Sequence, residues 1–307
     1  GDIAEQCREL ESLGLSLRVV TGGYRLPDNI ELLSKDVIRQ YLEGEADARL
    51  ISCDLQIFKT IDSTNRYARE EAGRTDLAGS VILSESQSAG RGRLGKVWES
   101  PFAANIYMSV IWNFGVGAKA LQGLSLAVGV AVRRSLVDLG IAGIQLKWPN
   151  DILVNTGVAT GAKLGGILIE LTGDVSDACQ VVVGVGLNLD IQAKDLTKID
   201  QQAIGVKQLG KDISRNAMTA NIVKHLCEVL EQFSVEGFAP LQQEWNDNDA
   251  FKGQEVKLIL PSSEIRGVCA GVNAKGELQL HTAEGLKAFN AGEVSLRQII
   301  ESDDSCV

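Results

Sequence analysis

Residues 89–101 read AGRGRLGKVWESP, and within them Gly90, Gly92 and Gly95 satisfy the G-x-G-x-x-G spacing of a dinucleotide-binding loop. In a doubly wound α/β fold such a loop opens a helix whose N-terminus holds the pyrophosphate, and an acidic residue for the ribose follows about 20 residues later. Neither condition is met. Ser100-Pro101 stops any helix near Glu99, and no Asp or Glu occurs between Glu99 and Asp138. What remains is a loop that alternates glycine with Arg91 and Arg93 and is followed by Lys96. Glycine lets the backbone close over a ligand, and guanidinium groups grip a carboxylate or phosphate through paired hydrogen bonds. Alone, the stretch also reads as a solvated turn with surface arginines, so its surroundings must decide.

From about Tyr41 to Trp245 the chain alternates β-rich and helical runs. QIFKTIDS (56–63), SVILSE (80–85), NIYMSVIW (105–112), IQLKW (144–148), GGILIEL (165–171) and VVVGVGLNLD (181–190) read as strands. STNRYAREEA (63–72), ALQGLSLAVGVAVRRSLVDLG (120–140) and NAMTANIVKHLCEVLEQF (216–233) read as helices. After Phe251, four or five short strands separated by glycine turns and no helix suggest a small barrel of SH3 type. At the other end, Ile3, Cys7 and Leu10 recur at helical spacing before Gly14, and LSLRVV (15–20), TGG (21–23) and YRL (24–26) form a hairpin pattern. Helix then hairpin is the back half of a winged helix. A small α/β cap fits equally well, because Asp2, Glu5, Glu9 and Glu11 outweigh Arg8 on that helix and suit phosphate poorly.

The whole chain of 307 residues carries 40 acidic and 30 basic residues, a net charge of −10, which argues against broad adhesion to nucleic acid or anionic membrane. Six scattered cysteines without a C-x-x-C pair encode neither a zinc site nor a disulfide framework, and two histidines far from other ligands disfavour histidine catalysis or metal binding. The longest apolar run, Leu124 to Val132, is far short of the roughly 20 residues of a membrane span. No signal peptide is expected, and the setting expected is a reducing cytoplasm. The chain opens at Gly1-Asp2 without an initiator methionine, so its N-terminus is expected to be incomplete.

Other stretches tip the balance for the loop. Lys147-Trp148-Pro149-Asn150-Asp151 places a cation, a rigid turn and a carboxylate at the end of an apolar strand. Lys163 opens a strand apolar enough to be central, where a snorkelling side chain is the plain alternative. Gly184 and Gly186 weaken their strand unless something approaches its backbone, and a ligand is the expected visitor. Asp62-Ser63-Thr64-Asn65 precedes a helix, as either a polar site or simply a cap.

DSTN (62–65), Gln87, GRGRLG (90–95), Trp98 in KVWESP, KWPND (147–151), KLGGILIEL (163–171), GVGLNL (184–189) and the closing GEVSLR (292–297) together resemble the biotin protein ligases. The resemblance covers nearly the whole chain. It implies an α+β fold: a partial winged helix over 1–33, a mixed-sheet catalytic domain over 41–245 and an SH3-like domain over 250–307. It implies formation of biotinyl-5'-adenylate from biotin and ATP with Mg2+, then transfer of biotin to a lysine on the carboxyl carrier domain of acetyl-CoA carboxylase. Matched motif by motif, Ser63, Thr64, Asn65, Gln87, Arg91, Gly92, Arg93 and Lys163 would bind biotin and its adenylate. Trp98, Asn150 and Asn188 would face the adenosine, with Trp98 stacking. Arg93, Lys163 and Lys147 would neutralise phosphate charge, Asp151 would orient or deprotonate the carrier lysine, and Glu293 and Arg297 would assist from the tail. Loop 90–98 is expected to close over the adenylate.

The resemblance also implies a homodimer, formed by joining sheet edges. DNA binding as a biotin-responsive repressor would follow only with a complete winged helix, whose first helices are missing here. One departure stands out: Leu94 occupies a position that is basic in bifunctional members. A lipoate ligase is the remaining alternative, but the arginine pair and glycine triplet of that family are absent.

Overall fold

The computed structural model describes residues 2–13, 15, 17–25, 30–43, 54–72, 79–156, 160–172, 179–191, 201–292 and 294–299. Helix α1 (Ile3–Ser12) leads into an antiparallel pair, β1 (Arg18–Val20) and β2 (Gly23–Arg25), turned through Gly22 at φ 92°. The expected strand from Leu15 therefore begins only at Arg18, and every residue of the two strands is exposed. Two strands of three residues with no buried side chain are marginal as an independent unit.

Helix α2 (Lys35–Leu42) occupies the connection that sequence reading leaves between the first two units. Ser34 caps it by accepting from Val37 N, and its buried Ile38 and Leu42 turn toward the core. Eight residues carry too few apolar repeats for periodicity to announce them.

The central sheet has the order β3-β4-β5-β9-β8-β7-β6, comprising β3 (Leu55–Phe58), β4 (Val81–Ser84), β5 (Ile106–Phe114), β6 (Ile144–Lys147), β7 (Asp151–Asn155), β8 (Thr160–Thr172) and β9 (Cys179–Leu187). Only β3 and β4 run parallel; the other five pairings are antiparallel. Strand alternation divides its two faces. Ile82, Ile111 and Val182 pack with Ala68 of α3 (Thr64–Ala72) in a small cluster. Their sequence neighbours Val81, Val110 and Val183 join the large core under α4 (Leu124–Asp138) and α5 (Arg215–Glu236). Both faces of the inner strands are covered, which is why β5 and β9 are mostly apolar and buried on successive residues rather than alternating.

A buried ion pair ties the amino end of α5 to this sheet. Arg215 donates to Glu85 Oε2 (2.7 Å) and to Asn105 O (2.8 Å), while the other Glu85 oxygen accepts from Leu33 N (2.6 Å). Glu31 caps the same helix end through Ser214 Oγ and Arg215 N, both 2.6 Å away. Its carboxyl lies below the usual range because these donors outweigh its burial.

After α6 (Gln242–Asp247), the tail forms an antiparallel sheet in the order β13-β12-β11-β10-β14. Its strands are β10 (Glu255–Ile259), β11 (Glu264–Val272), β12 (Leu278–Thr282), β13 (Gly285–Phe289) and β14 (Ser295–Gln298). Among the bonds that fasten the tail and the segment leading into it to the central unit, Trp148 Nε1 donates to Gly276 O (3.2 Å), and Leu146 exchanges bonds with Asn248 O and Ala250 N (both 2.8 Å). No helix among the described residues is long and apolar enough to cross a membrane.

Candidate active site

A cavity of about 750 Å³ lies over the central sheet, walled on one side by Ile259, Leu296 and Arg297 of the tail. At one end, the start of α3 delivers Ser63, Thr64 and Asn65, each no more than 4% exposed. Gln87 fixes the second of them: its Oε1 accepts from Thr64 N (2.8 Å), and its Nε2 donates to Ser100 Oγ (3.0 Å), which donates on to Trp98 O (2.9 Å). Below, Ser109 of β5 reaches Thr64 Oγ1 (2.8 Å) and Asn65 Oδ1 (2.6 Å). The Asn65 amide donates to Leu168 O (3.2 Å) and Glu170 Oε2 (3.0 Å).

Loop 90–98 closes on itself as a small hairpin. Gly92 N donates to Lys96 O (2.7 Å), Trp98 N to Gly90 O (2.9 Å), and the turn carries Leu94 at φ 56° and Gly95 at φ 71°. Left-handed backbone is costly at a leucine and costs little at a glycine. Arg91 leaves the loop toward Glu170 (3.0 Å), which also holds Arg69 (3.3 Å). Arg93 points the other way and donates to Asn150 Oδ1 (3.2 Å) and Gly292 O (2.6 Å). Burial weakens its hold on its proton, and Asp151 partly restores it, yet a guanidinium stays charged throughout.

Also lining the cavity, Asp151 lies between two lysines, Lys163 at 2.6 Å and Lys147 at 3.4 Å. Burial pushes the Asp151 carboxyl up, but the two ammonium groups outweigh it and hold the acid below the usual carboxylate range. Lys147 is pulled down, first by burial and then by Arg297 and Lys163, with Asp151 opposing. Lys163 Nζ also stands 5.5 Å above the Trp98 ring, within cation–π range.

The two glycines of β9 find their reason here. A Cβ at Gly186 would lie 2.6 Å from Trp98 Cε2, and one at Gly184 would collide with Asn65. The expected visitor was a ligand; the structure puts two of the protein's own side chains there, so the glycines make room for the site's walls. Asn188 is buried, with its Nδ2 3.4 Å from Lys163 O, and its backbone pairs with Leu164 and Val206. Every candidate site residue among the described residues, including Gly92, lines this one cavity. Glu293 lies outside the described residues. Ser100, Ser109 and Glu170 escaped sequence reading. Their one signal was a polar residue inside an apolar strand or beside a proline, which an outward-facing position produces equally well.

The sequence matches the Biotin/lipoate A/B protein ligase family over residues 57–188 and the Biotin protein ligase C terminal domain over residues 251–297. It is 36% identical to the bifunctional ligase/repressor BirA of Escherichia coli strain K12, over 96% of this chain and 88% of the relative. The biotin–[acetyl-CoA-carboxylase] ligase of Mycobacterium tuberculosis is 32% identical, over 78% of this chain and 88% of that one. Among solved structures, the biotin protein ligase from Aquifex aeolicus in complex with biotin and ATP superposes with a TM-score of 0.68 and 29% identity. That match covers 80% of this chain and 99% of the other. With the residues of its motifs gathered in one cavity and its tail matched separately, the chain belongs to the biotin protein ligase family.

Proposed function

We propose that this protein is an ATP-dependent biotin–protein ligase that makes biotinyl-5'-adenylate and passes the biotinyl group to a carrier lysine. The observation that carries this is one cavity lined both by hydroxyl and amide side chains and by the cations Arg91, Arg93, Lys147 and Lys163. Ser63, Thr64, Asn65 and Gln87 suit a cyclic urea, which offers both donors and an acceptor. Arg91, Gly92, Arg93 and Lys163 then receive the carboxylate and α-phosphate where charge develops, with Lys147 behind them. Trp98, whose Nε1 is buried without an acceptor among the described residues, waits for one from the ligand. Asn150 and Asn188 complete the adenosine side.

In this reading the carrier domain of acetyl-CoA carboxylase brings its lysine to the cavity mouth. Asp151 orients the amine and accepts its proton as the acyl bond forms and AMP leaves. Magnesium enters on ATP. No group of three metal-binding side chains exists among the described residues, and Asp151 is already held by two lysines, so phosphate oxygens and water would carry the ion.

ATP–pyrophosphate exchange tests the assignment, with biotin, lipoate or octanoate added in turn. Exchange with biotin alone is the expected result; its absence from folded protein with magnesium withdraws the enzyme reading. A second reading, operator binding, draws on the exposed wing, where Arg18 and Arg25 face each other across the two strands. Retardation of operator DNA that requires biotin and ATP would support it, and salt-independent absence of any shift would remove it.

A further inference from the structure

Strand β9 leaves the central sheet at Asn188. Its ladder with β8 ends at Leu187, opposite Gly165, and Asn188 N then donates to Leu164 O (2.8 Å). Lys163, the next residue back along β8, is left without a ladder partner from β9. Residues 202–204 fill that place: Lys163 N donates to Gln202 O (2.8 Å), and Ile204 N donates to Lys163 O (3.0 Å). The same short run puts Gln201 and Ala203 into the wall of the cavity beside Lys163.

The outgoing and returning backbones cross closely here. Val206 N donates to Asn188 O (3.1 Å) and Lys207 N to Leu189 O (2.9 Å), and a Cβ at Gly205 would lie 2.6 Å from Leu189 O. Gln208 ties the two runs together. Gly205 N can only donate, so it faces Oε1 (3.0 Å), which turns Nε2 toward two acceptors, Ile191 O (3.0 Å) and Asp190 Oδ1 (3.4 Å). The other oxygen of Asp190 meets Lys207 Nζ (3.3 Å). The outgoing run has a separate anchor, because the buried Asn105 accepts from Leu189 N (2.9 Å) and Asp190 N (3.3 Å) through Oδ1. Loss of Gln208 or Lys207 therefore loosens the returning run and leaves the end of β9 in place.

We infer that Asp190, Lys207 and Gln208 are positioning residues: they line no part of the cavity, and by fastening residues 201–206 against β9 they seat Lys163 and the wall at Gln201 and Ala203 for ATP. The inference rests on the ligase reading above and deepens it. Lys163 Nζ makes the 2.6 Å pair with Asp151, so the backbone that carries it sets where this positive charge stands when phosphate arrives. Thr64, Asn65 and Gln87 are held elsewhere, by Ser109 and Ser100, and do not depend on the crossing.

The test measures two quantities on each variant: equilibrium binding of biotin without nucleotide, and the KM for ATP in biotin-dependent pyrophosphate exchange. Gln208→Ala and Lys207→Met should each raise the ATP KM about fivefold to tenfold, while biotin binding changes by less than about twofold. Gln208 is exposed and Lys207 half-buried, so neither substitution opens a cavity in the core. Lys207→Arg keeps the ion pair and should retain the wild-type KM. A purely structural role would lower the melting temperature and weaken biotin and ATP alike, and that result overturns the inference. An unchanged ATP KM in folded Gln208→Ala and Lys207→Met overturns it as well. A wild type without biotin-dependent exchange overturns the ligase reading itself, and the role of these three residues with it.

Discussion

Gly186 is glycine because Trp98 fills the space a methyl group would need, at 2.6 Å. Gly186→Ala should force the indole off the strand, cost about 1–3 kcal/mol of stability and lower biotin-dependent pyrophosphate exchange at least tenfold. Denaturation and exchange assays on the same preparation check both. Asp151 behaves differently, since its worth is electrostatic. Its carboxyl is depressed, so its stabilising contribution is complete above 3.8 and is lost as pH falls through the lower folded value. Asp151→Asn should lose about 3–5 kcal/mol near neutrality, where two buried lysines would lack their partner, and its urea midpoint should fall less toward pH 3 than that of the wild type. At this scale the sequence was most informative for residues with unusual chemistry at close spacing: Arg91, Arg93, Lys147, Asp151 and Lys163. Ser109 and Glu170 gave no such signal, because their importance lies in which neighbour each one faces, a three-dimensional fact.

Elements show the same division. Loop 90–98 was legible as a turn rather than a helix start by the failure of helix signals after Gly95, and the structure gives it two tethers, Arg91 on Glu170 and Arg93 on Asn150 and Gly292. We expect Arg93→Gly to free one side of the loop and speed adenylate escape at least tenfold, with the biotin end of the cavity intact. Release of labelled adenylate into solution and biotinylation of bystander lysines both read this out. Helix α5 was plain from its length, but its anchoring was not, since Arg215, Glu85 and Glu31 are far apart in sequence. Arg215→Ala leaves Glu85 buried and unpaired and should cost about 3–5 kcal/mol by chemical denaturation, whereas Arg215→Met with Glu85→Leu should cost much less. Helix α2 and the late start of β1 were missed for a common reason: short elements on a surface carry little apolar periodicity, and tertiary packing or a turn decides them.

Across the whole molecule, the two sheets meet at Asp249, which is 8% exposed and bridges from the strand end at Leu146 toward the tail. Burial raises its carboxyl to about 6, with the Phe251 amide opposing, and Cys269 beside it is pushed up to about 12. A raised folded value means the native protein holds this proton more tightly than the unfolded chain. Its stabilisation is therefore present below 3.8 and lost as pH rises to about 6. Asp249→Asn should abolish that slope and, at neutral pH, gain up to about 3 kcal/mol, as measured by denaturation at pH 5 and pH 7.5. The order of a helix and hairpin, a mixed run of strands and helices, and a tail of strands followed from the patterns along the chain. That the tail would wall the cavity could not, because no local pattern records which surfaces will meet. The bond from Arg93 to Gly292 spans 199 positions of chain. Heredity would feel it: in a selection for leaky activation, substitutions around Gly292 should be recovered alongside those in the arginine loop, although 199 positions separate Gly292 from Arg93.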